Sequence, residues 1–124
     1  MQCPCNPTIK YSDCCQKAHQ NIHSVTSAEA LMRSRYSAFV LANIDYLQKS
    51  HNSSTRPSKR EKKEILAWTK SVNWIKLEVL NTTETTVDFN AYFMENGNID
   101  VIHENSVFCK ENDHWVYLGN KKAV

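Results

Sequence analysis

The spacing of apolar positions changes once along the chain, from a helical period to a period of two. Ala28, Leu31, Met32, Tyr36, Phe39 and Val40 fall on one helical face. Thr26-Ser27-Ala28-Glu29 just ahead of them is a capping-box pattern, with the Thr26 hydroxyl placed to accept from the Glu29 N–H while the Glu29 carboxylate reaches back. The stripe fades at Asn43 and resumes in Ile44-Asp45-Tyr46-Leu47, which predicts a separate short helix. Residues 50–57 read as a loop. Ser58-Lys59-Arg60-Glu61 is a second capping box, and it opens a helix with Ile65, Leu66 and Trp68 on its buried side. Beyond residue 74 the alternation is that of strands. Ile75, Leu77 and Val79 share one face, and Val87, Phe89, Ala91 and Phe93 repeat the pattern after a turn at Asn81–Glu84. Glu95-Asn96-Gly97-Asn98 is a hairpin signal. Residues 99–110 form a long strand, Glu111-Asn112-Asp113 turns, and His114–Leu118 returns. Helices followed by an antiparallel meander give an α+β fold of about four strands. The helices must cover one face of that sheet, because a half-buried antiparallel sheet needs an apolar lid.

Composition narrows the function. The 124 residues suffice for one domain and a small appendage, and 41% hydrophobic with 23% charged residues is ordinary globular usage. The longest uninterrupted apolar run, Ala38–Ala42, is far short of a membrane span, and the N-terminus has no secretory pattern, which predicts a cytoplasmic protein. Glycine occurs only at 97 and 119, so no dinucleotide fingerprint, P-loop or nucleophile elbow can be written. A net charge of +2 is weak for nucleic acid. The basic stretch Arg56–Lys63 reads as the solvated face of a capped helix, with a phosphate-contacting patch as the alternative.

The sharpest signal is Cys3-Pro4-Cys5, eight residues, then Cys14-Cys15. In a reducing compartment such clustering points to metal before disulfide. Four thiolates make a closed tetrahedral set for a structural zinc with no open coordination position, hence no Lewis-acid chemistry. Ser12 is the expected N-cap of a short helix to about Gln20, which would put both later cysteines in its first turn. Two alternatives stay open: two disulfides, or a mixed set in which His19 replaces Cys15 one helical turn on. Cys109 reads as a small apolar strand residue.

The cysteine pattern, with Tyr11 three residues before the pair, resembles the SEC-C zinc motif, named for the C-terminus of the SecA translocation ATPase. The run Leu31-Met32-Arg33-Ser34-Arg35-Tyr36-Ser37-Ala38-Phe39-Val40, then Asp45-Tyr46-Leu47, Trp74 and His103-Glu104-x-Ser106-x-Phe108, is similar to the YchJ family of small bacterial proteins. The resemblance implies a zinc knuckle over residues 1–24 followed by a nuclear-transport-factor-2-like (NTF2-like) cone over 25–124, its helices packed in the concavity of a curved sheet. It also implies protein docking through the knuckle, as that motif contacts an export chaperone in SecA. Two features depart from the family. Asn6-Pro7-Thr8 stands where a Gly-Ser-Gly-like loop is usual, and a second SEC-C copy found in many relatives is not present at Asn120–Val124.

A cone cavity needs lining residues. Ile102, Glu104, Ser106 and Phe108 share one strand face, so an inward Phe108 brings Glu104 and Ser106 inward too. Arg33 or Arg35 is the expected ion-pair partner of Glu104. Arg35, Tyr36, Trp74, Glu104 and Ser106 are therefore the candidate pocket residues, while His51 and Arg56 read as solvated loop, with the rim of a pocket mouth as the alternative. His103-Glu104 is not a zinc-protease motif, since residue 107 is Val and the segment is a strand. No nucleophile–base pair or cofactor fingerprint appears, so the catalytic residues are unknown. The leading expectation is a protein-binding or adaptor module with a structural zinc and a pocket for a peptide or small ligand. A homodimer remains open. The rival is an isomerase- or dehydratase-type enzyme with Glu104 as acid or base, which an unpaired carboxylate facing a void would favour. Nucleic-acid binding is a third reading, not favoured.

Overall fold

A computed structural model describes residues 1–121; residues 122–124, including the end of the expected cone domain, lie outside it. The chain runs β1 (Gln2–Cys3), β2 (Asn6–Lys10), a 3-10 turn (Tyr11–Asp13), α1 (Cys15–Gln20), a second 3-10 turn (Ile22–Ser24), α2 (Ala28–Val40), α3 (Ile44–Lys49) and α4 (Lys59–Ser71). Strands β3 (Asn73–Thr82), β4 (Thr86–Glu95), β5 (Asn98–Glu111) and β6 (His114–Asn120) follow. The first two strands form a small hairpin, and the last four form one antiparallel sheet in sequence order. This is the α+β meander expected from the alternation.

Both tight hairpins follow turn chemistry. Asn96 and Gly97 take positive φ (52° and 80°), as do Asn112 and Asp113 (52° and 64°). Paired positive φ gives the turn twist that matches right-twisted strands.

Local signals were misplaced at four points. At α2 the cap is Ser27, not Thr26: the Ser27 side chain accepts from the Ala30 N–H at 3.1 Å. Glu29 turns forward to Arg33 (2.9 Å) instead of back to the cap. Ser12 lies within the 3-10 turn, and α1 begins at Cys15 with Cys14 at the cap position. On β3 the register skips Ile75 between Trp74 and Lys76, so Trp74 takes the inward place and Ile75 is exposed. Ile65 on α4 is likewise exposed, since α4 stands off the sheet along a cavity. The Ser58–Glu61 capping box forms as expected.

The core sits between α2, α3 and the concave sheet face, around Leu31, Met32, Leu47, Val87 and Phe108. Ala18 and Ile22 of the N-terminal segment belong to the same cluster, so this segment is packed on the cone. Ile22 is 1% exposed. Replacing it by Ala should destabilise the whole protein by about 2–5 kcal/mol in one urea transition. An unchanged main transition would mean the segment is held independently.

Candidate metal centre and cavity

The small β1–β2 hairpin and the start of α1 bring four cysteines together. The strands pair Cys3 with Asn6, so Cys5 lies in the turn beside Cys3. No residue of Asn6-Pro7-Thr8 takes positive φ. The loop is extended instead, and the Asn6 Oδ1 accepts from the Thr8 N–H (3.1 Å) and hydroxyl (2.7 Å). All four sulfurs lie within 4.8 Å of one another. Cys5 is 3.7 Å from Cys3, 3.6 Å from Cys14 and 3.6 Å from Cys15, and Cys14 is 4.0 Å from Cys15. A tetrahedron with metal–sulfur bonds of ~2.3 Å has edges of ~3.8 Å, so the four donors fit a tetrahedral thiolate centre. These separations are far beyond a disulfide bond of ~2.05 Å, and all five cysteines are free.

The proton balance supports the same reading. Without a cation the Cys5 thiol is drawn down to about 5, chiefly by the hydrogen bond from Cys15 and against the cost of burial. Cys15 is raised in exchange, and burial together with the charge and hydrogen bonding of Cys5 pushes Cys14 up to about 12. One thiolate suppresses the ionisation of its neighbours, and a bound cation is what allows all four to ionise together.

His19 does not join the set. Its Nε2 donates to the Ser34 carbonyl (2.8 Å), so its Nδ1 accepts from the Tyr11 hydroxyl (2.6 Å). Both nitrogens are used, and burial holds the ring's pKa below its ordinary value. Helix α2 supports the cysteines from beneath. Ser37 Oγ, fully buried, lies 3.6 Å from Cys3 Sγ, and Arg33 Nη1 donates to the Cys5 carbonyl (3.3 Å).

On the other side of α2, a cavity of about 660 Å³ opens between α2–α4 and the sheet. Arg35, Tyr36, Trp74, Glu104 and Ser106 all line it. The expected ion pair does not form: neither Arg33 nor Arg35 is within 4 Å of Glu104 among the described residues. The reason is competition. Arg33 is taken by Glu29 and the Cys5 carbonyl. Arg35 Nη1 donates to the Leu47 carbonyl (2.9 Å) and Ser50 Oγ (2.7 Å), and its guanidinium lies 4.8 Å from the Tyr117 ring centre. Burial lowers the Arg35 pKa to about 10, which leaves it cationic at neutral pH. Glu104 is half-buried, and its Oε2 accepts only from the Ser106 hydroxyl (3.1 Å).

The aromatic wall is continuous. Tyr36 meets Trp74 edge-on (5.8 Å between ring centres), and Trp74 and Trp68 both contact Phe93. Burial raises the Tyr36 hydroxyl to about 12. The enclosed indole N–H of Trp74 has no partner among the described residues.

His51 corrects the solvated-loop expectation. It is 9% exposed, lines the cavity and stands edge-on to Tyr117 at 5.0 Å. The Arg56 guanidinium donates to its carbonyl (3.0 Å), tying the loop down. Tyr117 also lines the cavity. Its signal was available, since β5–β6 pairing sets it opposite the inward Phe108. Nothing in the polar run around His51 distinguished it from solvated loop.

Comparison with known proteins agrees with this architecture. Residues 27–120 match the family model described as YchJ, middle NTF2-like domain. A UPF0225 protein of Vibrio parahaemolyticus is 41% identical over 122 residues, covering 94% of this chain and 72% of the relative. A UPF0225 protein of Shewanella sp. (strain MR-4) is 39% identical over 128 residues, covering 93% and 77%. The solution structure of a SEC-C motif containing protein from Rhodopseudomonas palustris superposes with a TM-score of 0.81 at 29% identity, covering all of both chains. The crystal structure of a SEC-C motif containing protein from Psychrobacter arcticus gives 0.77 at 30% identity, covering 100% of this chain and 85% of that one. Among the described residues, no helix is long and apolar enough to cross a membrane.

Burial first, then the Arg35 charge, pulls the His51 pKa down to about 4. Its ring should therefore titrate by NMR well below an ordinary histidine. The unfolded chain takes up this proton first, so the His51 contribution to stability is complete above the ordinary value and is lost as pH falls toward about 4. A midpoint near 6.5, the ordinary value, would show that the ring is solvated.

Proposed function

The chain belongs to the YchJ family, and from that premise we propose that it is a binding module in which a zinc-stabilised knuckle is clamped to an NTF2-like cone that takes a small ligand. The observation that carries this reading is the cavity of about 660 Å³, in which Arg35 and Glu104 face open space without pairing. This volume lies in the range of small-molecule sites. Zinc suits the knuckle because it accepts four thiolates tetrahedrally and carries no redox chemistry. A closed set of this kind is structural, and residues 1–24 have too little apolar surface to fold unaided. The cysteines point inward, while Pro7–Lys10 of β2 are exposed and form the edge available to a protein partner. A reduced thiol cluster is consistent with a cytoplasmic setting.

A second reading rests on Glu104. A carboxylate lining a void without an ion-pair partner is suited to proton transfer on a small apolar substrate, with Arg35, Tyr36 and Ser106 beside it. Glu104→Gln would then abolish turnover while leaving ligand retention intact. The basic run on α4 lends little to nucleic-acid binding: Glu61 caps the helix and Arg60 pairs with Glu64 (3.7 Å).

Native mass spectrometry of untagged protein, purified without chelator, tests the proposal. One zinc per chain, with an added organic mass in some fraction, is the expected result. Metal-free protein whose mass shows paired thiol oxidation would overturn the zinc assignment. Ser37→Ala should weaken zinc about tenfold in competition with a chromophoric chelator, because its hydroxyl supports Cys3. An unchanged affinity would remove Ser37 from the centre.

A further inference from the structure

Four charged side chains line the cavity: Arg35, which is buried, Glu104 and Lys62, which are half-buried, and Glu64, which is exposed. Arg35 on α2 and Glu104 on β5 have unequal surroundings. Arg35 is 8% exposed, and among the described residues its Nη1 carries both of its protein hydrogen bonds while its Nε and Nη2 have none. A buried guanidinium without a carboxylate partner gains strongly from an anion, and its planar fork favours a carboxylate bound through two parallel hydrogen bonds. Glu104 offers the opposite demand. Its Oε2 takes one hydrogen bond from Ser106, and its Oε1 has no donor among the described residues. The two groups belong to the same cavity but stand more than 4 Å apart, so they leave a gap with an anion-seeking end and a donor-seeking end. Much of the remaining lining is apolar, with Trp68, Trp74, Phe89 and Ile65 presenting flat or branched surfaces, and Lys62 and Glu64 of α4 bring one charge of each sign. His51 adds no competing cation there, since burial keeps its ring neutral at neutral pH, while Lys62 of α4 is a second cation on the lining, less buried than Arg35.

We propose that this cavity takes an apolar, flat-bodied carboxylic acid that carries a hydroxyl or amide N–H beside its carboxylate. The acid group sits on Arg35, the adjacent donor points to Glu104, and the apolar body lies against Trp68 and Trp74. The inference rests on the small-ligand reading above and names its ligand class.

Calorimetry on the metal-loaded chain at neutral pH tests it with three probes of one body: naphthylethanol, naphthylacetate and naphthyllactate. Naphthylacetate should bind at least about tenfold more tightly than naphthylethanol, and naphthyllactate several-fold more tightly again. Arg35→Gln should erase the preference for the acids. Arg35 also holds the end of α3, so that variant can fail to fold; Glu104→Gln gives an independent readout. It should strengthen naphthylacetate, by removing a nearby negative charge, and shrink the advantage of naphthyllactate. If naphthylethanol binds as well as either acid, the ligand class is wrong while the small-ligand reading stands. If none of the three binds, both fail.

Discussion

Three polar side chains of α2 are buried, and the rest of the molecule is arranged to satisfy them. Ser34, Arg35 and Ser37 are 1%, 8% and 0% exposed. Unpaired polar groups at such depth would each cost about 1–3 kcal/mol. Ser34 gives its hydroxyl to a bond with Tyr46 (2.6 Å) and its carbonyl to His19. Ser37 turns to Cys3, and Arg35 to the end of α3. One helix thereby fixes α1, the cysteine knuckle, α3 and the cavity at once. The cysteines are part of the core in the same sense: Cys3, Cys5 and Cys15 pack with Tyr36 and Ala91.

This arrangement makes the knuckle and the cavity neighbours that share α2 and the Tyr36–Ala91 packing. Arg33 and Ser37 face the cysteines, while Arg35 and Tyr36 reach the cavity. The His19 ring, held between Tyr11 and Ser34, connects the knuckle's 3-10 turn to the same helix. The geometry of the cysteine cluster and that of the cavity lining are therefore tied together through α2 and through the shared packing of Tyr36 and Ala91.

Much of this was legible in the chain. The period change located helices and strands, and the cysteine spacing found the cluster. The alternation of β5 placed Glu104 and Ser106 inward beside Phe108. The family resemblance supplied the cone. What was not legible depended on tertiary competition. Arg35 and Glu104 have complementary charge, yet Leu47 and Ser50 claim the arginine first. His51 sits in a run of polar residues whose composition says loop, and only the parallel bridge to Tyr117 draws it inside. Ile75 matched its strand's period, but one extra residue shifted the register and gave its place to Trp74.

That extra residue is one of several. The register skips Ile75 and Leu80 on β3 and Leu118 on β6, whereas β4 and β5 pair without interruption. Irregularity is thus confined to pairings that involve the two edge strands. Bulges bend and twist a strand, which deepens the concavity in which the cavity lies. They also break up the row of free backbone groups that an incoming strand would need. Ile75 and Leu80, exposed along that border, would otherwise make it adhesive. The same interruptions that shape the cone protect the sheet against growth by stacking strands from neighbouring molecules.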